Sequence, residues 1–280
     1  MRRIRLLAAG VLVLAGGWVT AIPPRIPVDE IFKARSGVFY LGGVRTAADF
    51  RQRKQAEALA LKQELESLCK LPFRVITTRY FNLAYRCTES EIRFLAHYLE
   101  RFFHDIYPRY FRYEPRAPFR VVYFRTQREF YEMTGSDAYG FYRSDRRTMY
   151  TWARSGHGTL WHEMIHAFVH DNVAADPQQW FNEGLASFYE MAFLKNERVD
   201  EGYSNWRMPA LKAALARGQV PHLKTFLLEE RMGIDFGYAH ARFFFCYLWT
   251  KNRLIPFVRG YLHDLLPLHR GEALGRAAVR

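Results

Sequence analysis

One stretch of this sequence, residues 159–194, constrains the fold more than any other part of it. It contains HEMIH at residues 162–166, so that two histidines are separated by about one helical turn. Residues i and i+4 lie on the same face of an α-helix, and His162 and His166 can therefore reach one metal ion. Glu163, one position further round, can hold a water next to that ion. A catalytic zinc ion takes three protein ligands and keeps one position open for water, so the pattern predicts part of a zinc site.

The residues around HEMIH predict that it lies on a buried helix. Gly156 and Gly158 interrupt the preceding segment, and Thr159 is a suitable N-cap residue, so we expect the helix to begin at Thr159. Apolar residues then cover a broad face of this helix and predict its burial: Leu160, Trp161, Met164, Ile165, Phe168 and Val169.

Spacing limits where the third ligand can come from. The metzincin pattern requires glycine and histidine where this chain has Val169 and Asn172, which excludes that arrangement. The other arrangement takes a glutamate from the next helix, and Glu183 stands in such a segment, WFNEGLASF. Asp176 as N-cap, followed by a first-turn proline, predicts a helix over about 177–194.

HEMIH followed by WFNEGLASFYE resembles the gluzincin branch of the zinc metallopeptidases. The sequence is most similar to the compact peptidase MA-like domains, and it shares the N-E-G-x-A-S core of the M1 aminopeptidases. The resemblance implies that His162, His166 and Glu183 bind one Zn²⁺ ion and that Glu163 is the general base. It also implies a zincin-like α+β fold, in which a small mixed β-sheet and the zinc-binding helix precede a helical C-terminal subdomain.

The N-terminal residues predict export. Arg2, Arg3 and Arg5 precede an apolar run, and Val19-Thr20-Ala21 fits the small-residue rule for signal cleavage. We therefore expect a periplasmic or secreted protein, with an uncleaved membrane anchor as the alternative. The whole chain is expected to divide into five parts: signal peptide or anchor 1–21, linker 22–45, N-terminal α+β subdomain 46–158, zinc-binding helices 159–194 and helical C-terminal subdomain 195–280.

The N-terminal subdomain is predicted to hold a helix over 46–69, one or two strands within 73–87 and a helix over 88–111. Strand 119–124 and a short helix ending near Gly135 follow, and the helices open with the capping boxes TESE and TQRE. By analogy with gluzincins, we expect strand 147–153 to lie at the sheet edge and to hydrogen-bond a peptide substrate. The predicted substrate-binding residues are Asn182, Arg147, Thr148, Met149, Tyr150, Thr151 and Trp152.

The resemblance also implies a donor to the oxyanion from a later helix. In gluzincins this donor is a tyrosine or a histidine, and Tyr238 is our first candidate, with His240 as the alternative. Some gluzincins carry a carboxylate four residues after the ligand glutamate. This chain has Ser187 there, so the support of His162 is not explained by the sequence.

The charge and the motifs of the chain limit the classes of partner that we expect. The net charge is +13, but there is no nucleic-acid-binding module, no glycine-rich phosphate loop and no tight Lys/Arg cluster, so we expect no nucleic acid partner. The basic charge indicates either a solvated surface or association with a membrane or an anionic envelope surface. In an oxidising compartment Cys69 and Cys87 could pair or remain free. Oligomeric state is not predicted.

The leading hypothesis is an exported zinc metallopeptidase that acts on a protein or peptide. One alternative is a non-catalytic envelope binding protein that keeps the zincin fold. Another is a zinc amidase that cuts a non-peptide bond, for example in the cell wall.

Overall fold

The computed structural model describes residues 47–69, 71–111, 115, 117–173, 176–228 and 237–265. The expected signal peptide or anchor at 1–21 and linker at 22–45 lie outside the described residues, as does the basic end of the chain. Within the described residues the protein is an α+β structure that contains a small mixed sheet.

The sheet has five strands, β1 (Arg74–Thr77), β2 (Phe81–Tyr85), β3 (Phe119–Phe124), β4 (Gly140–Arg143) and β5 (Thr148–Trp152). Their spatial order is β1-β2-β3-β5-β4. The three central strands β2, β3 and β5 run parallel, and the outer strands β1 and β4 are antiparallel to their neighbours. The parallel strands are rich in buried apolar residues because helices cover both faces of the sheet.

Four helices belong to this part: α1 (Ala47–Leu68), α2 (Glu89–Tyr110), α3 (Gln127–Thr134) and α4 (His157–Asn172). Helices α1 and α3 pack on one face of the sheet around Phe124, Phe130 and Tyr150. Helices α2 and α4 pack on the other face, in the larger core that contains Phe103 and Phe168. The sheet therefore separates two hydrophobic cores, and the HEMIH helix belongs to the larger one.

The chain continues with α5 (Gln179–Tyr189), β6 (Phe193–Lys195), β7 (Arg198–Asp200), α6 (Arg207–Ala216), α7 (Leu223–Leu228), α8 (Gly237–Thr250) and α9 (Leu254–Gly260), which runs into a π-helical turn (Tyr261–Leu265). Two predictions were wrong here. Helix α5 ends at Tyr189 rather than near residue 194, and the C-terminal part is not wholly helical, because β6 and β7 form a hairpin. Asn196 and Glu197 both have positive φ angles (50° and 60°), as expected for a type I′ hairpin turn.

The starts of α2 and α3 confirm the predicted N-cap residues Thr88 and Thr126, whereas the N-cap prediction for α5 was wrong, because this helix begins at Gln179 with Gln178 rather than Asp176 as its N-cap residue. At α2 the Thr88 side chain accepts from the Glu91 N–H, and the Glu91 carboxylate accepts from the Thr88 N–H, so the capping box is complete. At α3 only half of the box forms, because the Glu129 carboxylate pairs with Arg86 and accepts from the Arg125 N–H instead.

The N-cap prediction for α4 was wrong. This helix begins at His157, with Gly156 (φ 98°) as its N-cap residue. Thr159 lies inside the helix, where its hydroxyl donates to the carbonyl of Ser155, 3.2 Å away.

The predicted edge strand was also wrong. Strand β5 pairs with β3 on one side and with β4 on the other, so β4 is the edge strand at this end of the sheet. Both edges of Thr148–Trp152 already hydrogen-bond to neighbouring strands, so these residues cannot bind an added strand. Arg147 precedes the strand with φ 49°, and its guanidinium donates to the Asp171 carboxylate of α4 at 2.7 Å. Arg147 therefore ties the sheet to α4.

Two smaller features complete the fold. Cys69 and Cys87 are buried free thiols, and each donates to a backbone carbonyl, that of Leu65 and that of Thr88 respectively. Across the described parts of the chain, every helix is too short or too polar to span a membrane.

Candidate metal centre and its cleft

Helices α4 and α5 pack against each other and bring together the three predicted ligands. The ligand atoms of His162, His166 and Glu183 all lie within 4.8 Å of one another. Oε2 of Glu183 is 3.3 Å from Nε2 of His162 and 3.7 Å from Nε2 of His166. The two imidazoles stand nearly perpendicular, at 80°, and both Nε2 atoms lie within 3.7 Å of the same Glu183 oxygen. Among the described residues this is the one group of three such side chains that could hold a metal ion.

Local sequence explains this convergence. The side of α4 away from the histidines is apolar and fully buried, which fixes the rotation of the helix about its axis. Glu183 is held by α5, whose residues Phe181, Leu185 and Phe188 are fully buried. Contacts outside the centre, apolar packing together with the Arg147–Asp171 ion pair, therefore orient the helices so that the three predicted ligands face each other.

The charges at the centre interact strongly. Burial acts to lower the pKa of His162, but the nearby carboxylates of Glu183 and Glu190 outweigh burial and raise this pKa to about 10. Burial conversely acts to raise the pKa of Glu183, but His162 and His166 outweigh it and hold this pKa below its usual value. The centre therefore favours an ionised Glu183 beside a protonated His162. A divalent cation can take the place of the positive charge of that imidazolium.

Glu190 belongs to the candidate site, although sequence reasoning did not predict it. Its Oε1 atom lies 3.3 Å from Nδ1 of His162, on the side of the ring opposite the ligand atom. Arg207 in turn donates from Nη2 to Oε1 of Glu190 at 3.0 Å. Glu190 follows Glu183 by two helical turns, so both side chains lie on one side of α5. The seven-residue spacing from Glu183 was the sequence signal that could have predicted Glu190. Glu190 supports His162 although Ser187 occupies the position where some gluzincins carry a carboxylate.

The centre lies in a cleft with a volume of about 1550 Å³. Helix α4 forms the floor. Tyr139 and strand β4 line one wall, and residues 190–193, Trp206, Arg207 and Tyr238 line the other. Glu163 lines the cleft beside the three ligands although its exposed fraction is only 8%. A carboxylate in this position can accept a proton from a water held next to the ligands.

The remaining predicted site residues divide into two groups. Tyr238 and Asn182 line the cleft, whereas His240 does not and stacks on Phe226 with ring centroids 4.2 Å apart. The pKa of Tyr238 is raised by burial and by the charge of Glu183, which keeps its hydroxyl protonated and able to donate. None of Thr148–Trp152 lines the cleft, and edge strand β4 takes their place. Tyr238 is therefore the better placed of the two oxyanion candidates.

The residues present fit a metal ion. Two imidazole nitrogens and one carboxylate oxygen form the donor set of many catalytic zinc sites, and the cleft leaves their common side open. No histidine, cysteine or carboxylate beyond these three joins the cluster in the described parts of the chain. His170, one turn after His166, instead makes a 3.0 Å hydrogen bond through Nδ1 to the hydroxyl of Tyr142.

No protein-family model matches this chain, and no curated protein is significantly similar to it.

Proposed function

We propose that this protein is an exported zinc metallopeptidase of gluzincin type with a zincin-like fold. One observation carries the proposal: two histidines of an H-E-x-x-H helix and a glutamate of the next helix converge at the floor of a large cleft, with Glu163 beside them. The arrangement supplies three protein ligands, an open side and a general base, which is what a hydrolytic zinc site requires.

Each residue has a role in this proposal. A zinc ion held by His162, His166 and Glu183 would polarise the scissile carbonyl and make a water more acidic. Glu163 takes the proton from that water and delivers it to the leaving amine. Tyr238 donates a hydrogen bond to the oxygen on which negative charge develops.

The size of the cleft favours a polymeric substrate. Sites for small molecules typically enclose about 300–1,000 Å³, and this cleft is larger. Edge strand β4 runs along one wall, and its outward side can pair with an extended peptide as an added strand. The export signal predicted at the N-terminus would place the substrate in the periplasm, the cell envelope or the medium.

The test is hydrolysis of an unbiased peptide library by protein with measured zinc content, with Glu163→Gln alongside. We expect about one zinc per chain in both proteins. Loss of the general base should lower kcat at least about 100-fold. Thermal unfolding of both proteins checks that the substitution leaves the fold intact.

Other outcomes separate the alternatives. Zinc without peptide cleavage, together with release of amine from cell-wall material, would favour an amidase. Zinc without cleavage of either material would favour a binding protein. Folded protein that binds no zinc would overturn the assignment of His162, His166 and Glu183.

A further inference from the structure

Three large aromatic side chains stand exposed at the rim of the cleft. The exposed fractions are 73% for Trp206, 65% for Tyr139 and 48% for Phe193, and all three side chains line the cleft. Exposed apolar area that is grouped around a cleft indicates a binding surface, whereas single exposed apolar residues are ordinary.

Each of these rings is held in place by a neighbour. Tyr139 stacks on Trp152, with centroids 6.2 Å apart and an interplanar angle of 22°. Phe193 meets the edge of Tyr203 at 5.4 Å. The guanidinium of Arg207 lies 4.2 Å from the centre of the Trp206 ring. A ring that is already ordered loses little conformational entropy on binding, so these side chains are preorganised.

The segment that carries Trp206 is tied down as well. Arg242 is fully buried and donates from Nη2 to the carbonyl of Tyr203 at 2.6 Å. Asn205 accepts from the Arg207 N–H at 3.1 Å, and its side chain is 9% exposed. Trp206 is therefore an exposed ring on an anchored backbone.

The three rings lie on both sides of the metal centre. Tyr139 precedes edge strand β4, and Phe193 and Trp206 belong to the opposite wall, close to Glu190. The first turn of α4 touches both walls: Cβ of an alanine at Gly140 would lie 3.0 Å from Cγ2 of Thr159, and one at Gly158 would collide with the Glu190 carbonyl oxygen. A chain lying across the centre would therefore pass between the rings.

The charges of the cleft do not suggest an anionic substrate. Among the described residues that line it, the acidic ones are Glu163, Glu183, Glu190 and Asp176, and Arg207 is the one arginine or lysine. Arg207 is itself engaged with Glu190. The net charge of +13 therefore does not arise from the described lining residues, and the exposed rings are the feature of the cleft that can distinguish one substrate from another.

We infer that Tyr139, Phe193 and Trp206 determine specificity and select peptides with bulky apolar or aromatic side chains next to the scissile bond. The inference rests on the proposed peptidase function and adds the class of substrate to it. The substrate backbone pairs with β4, and its large side chains pack against the three rings.

The experiment compares wild-type protein with Tyr139→Ala, Phe193→Ala and Trp206→Ala on matched peptides that differ at one position, phenylalanine or alanine. The quantity measured is the ratio of kcat/KM for the two peptides. We expect a high ratio in the wild type and a fall of about tenfold or more in at least two of the variants. Zinc content is measured for each variant, because Trp206 contacts Arg207.

Tyr131→Ala is the control, because Tyr131 is also 56% exposed but lies on α3, away from the cleft. Its ratio should equal that of the wild type. A wild-type ratio near one, or ratios that all three ring variants leave unchanged, would overturn the inference while leaving the peptidase proposal standing.

A binding measurement distinguishes failure of this specificity inference from failure of the proposed peptidase function. Zinc-loaded Glu163→Gln is titrated with the same fluorescent peptides, alone and combined with each ring substitution. Tighter binding of the phenylalanine peptide, lost in the ring variants, would support the inference even if the wild type cuts nothing. Equal binding of both peptides would overturn it.

Discussion

Glu190 shows how one side chain can orient a candidate metal ligand from the far side of its ring. It lies 3.3 Å from Nδ1 of His162, and Arg207 and Asn205 donate to its two oxygens. Both partners keep the carboxylate in one orientation, and burial acts to raise its pKa but His162 and Arg207 hold this pKa below its usual value. A negative charge behind the ring fixes the tautomer that presents Nε2 to a metal and increases the basicity of that nitrogen.

We therefore expect Glu190→Gln to weaken zinc binding about 10- to 100-fold. The amide keeps the size of the side chain but removes the charge that orients His162. Chelator competition measures the dissociation constant, and Glu132→Gln, an exposed glutamate on α3, is the control. Unchanged affinity in Glu190→Gln would mean that packing of α4 alone orients His162.

At the scale of single residues, the sequence predicts the three candidate ligands but not the residues that hold His162 in place. His162, His166 and Glu183 follow from helical spacing and from the glutamate segment, which are local patterns. The gluzincin pattern does not predict Glu190, because the carboxylate of that pattern stands four residues after the ligand glutamate, where this chain has Ser187, whereas Glu190 stands seven residues after it. Trp206 and Arg207 reach the cleft from the start of α6, beyond a hairpin, and no sequence pattern predicts that long-range placement.

At the scale of elements, the first turn of α4 is held between two walls by close packing. Gly158 lies against the backbone of Glu190, so that even a methyl group at this position would meet the carbonyl oxygen. A flexible side chain could move aside, but this backbone also carries the carboxylate that supports His162. The glycine thus sets the distance between the helix with two ligands and the residue behind them.

Gly158→Ala should lower the free energy of unfolding by about 3 kcal/mol, because α4 and residue 190 must separate. It should also weaken zinc binding. The control is Gly135→Ala, at the left-handed C-cap of α3 (φ 68°), which costs about 1 kcal/mol through backbone strain alone. Denaturant titration and chelator competition measure the two effects, and a Gly158→Ala protein with normal zinc affinity would contradict the argument.

Most elements with local signals were predicted, although Thr159 and Asp176 do not cap the helices predicted for them, and elements that depend on distant pairing were not predicted. Thr88 and Gly135 mark helix ends correctly, since capping involves only a few neighbouring residues. The position of β5 inside the sheet depends on β4 folding back across it, and the sequence of β5 does not specify that pairing. The hairpin at Asn196–Glu197 was missed because its two strands are only three residues long.

At the scale of the whole molecule, the candidate centre joins the sheet-bearing part to the helical part. Helix α4 packs under the sheet, whereas α5 makes its most extensive contact with α8, which carries Tyr238. Zinc bound between α4 and α5 would therefore stabilise both parts together, in proportion to the logarithm of its concentration over its dissociation constant.

Without zinc, protonation of the centre should make global stability depend on pH. The pKa of His162 is about 10 in the folded chain, against an ordinary value of 6.5. Folding thus strengthens proton binding at His162, and its contribution to stability is complete below pH 6.5 and is lost as the pH rises towards 10. The free energy of unfolding of zinc-free protein should fall across this window, by at most about 1.4 kcal/mol per pH unit from this residue.

Urea titrations of chelator-treated protein at several pH values between 6 and 10 measure this effect. In His162→Gln the decline should be absent, whereas His97→Gln should keep it, because His97 is an exposed histidine on α2. Zinc reverses the sign of the dependence, since the metal requires a neutral imidazole and binds more tightly as the pH rises. A zinc-free wild type as stable at pH 9 as at pH 6.5 would show that Glu183 and Glu190 do not hold a proton on His162, and the ionic account of the centre would then be wrong.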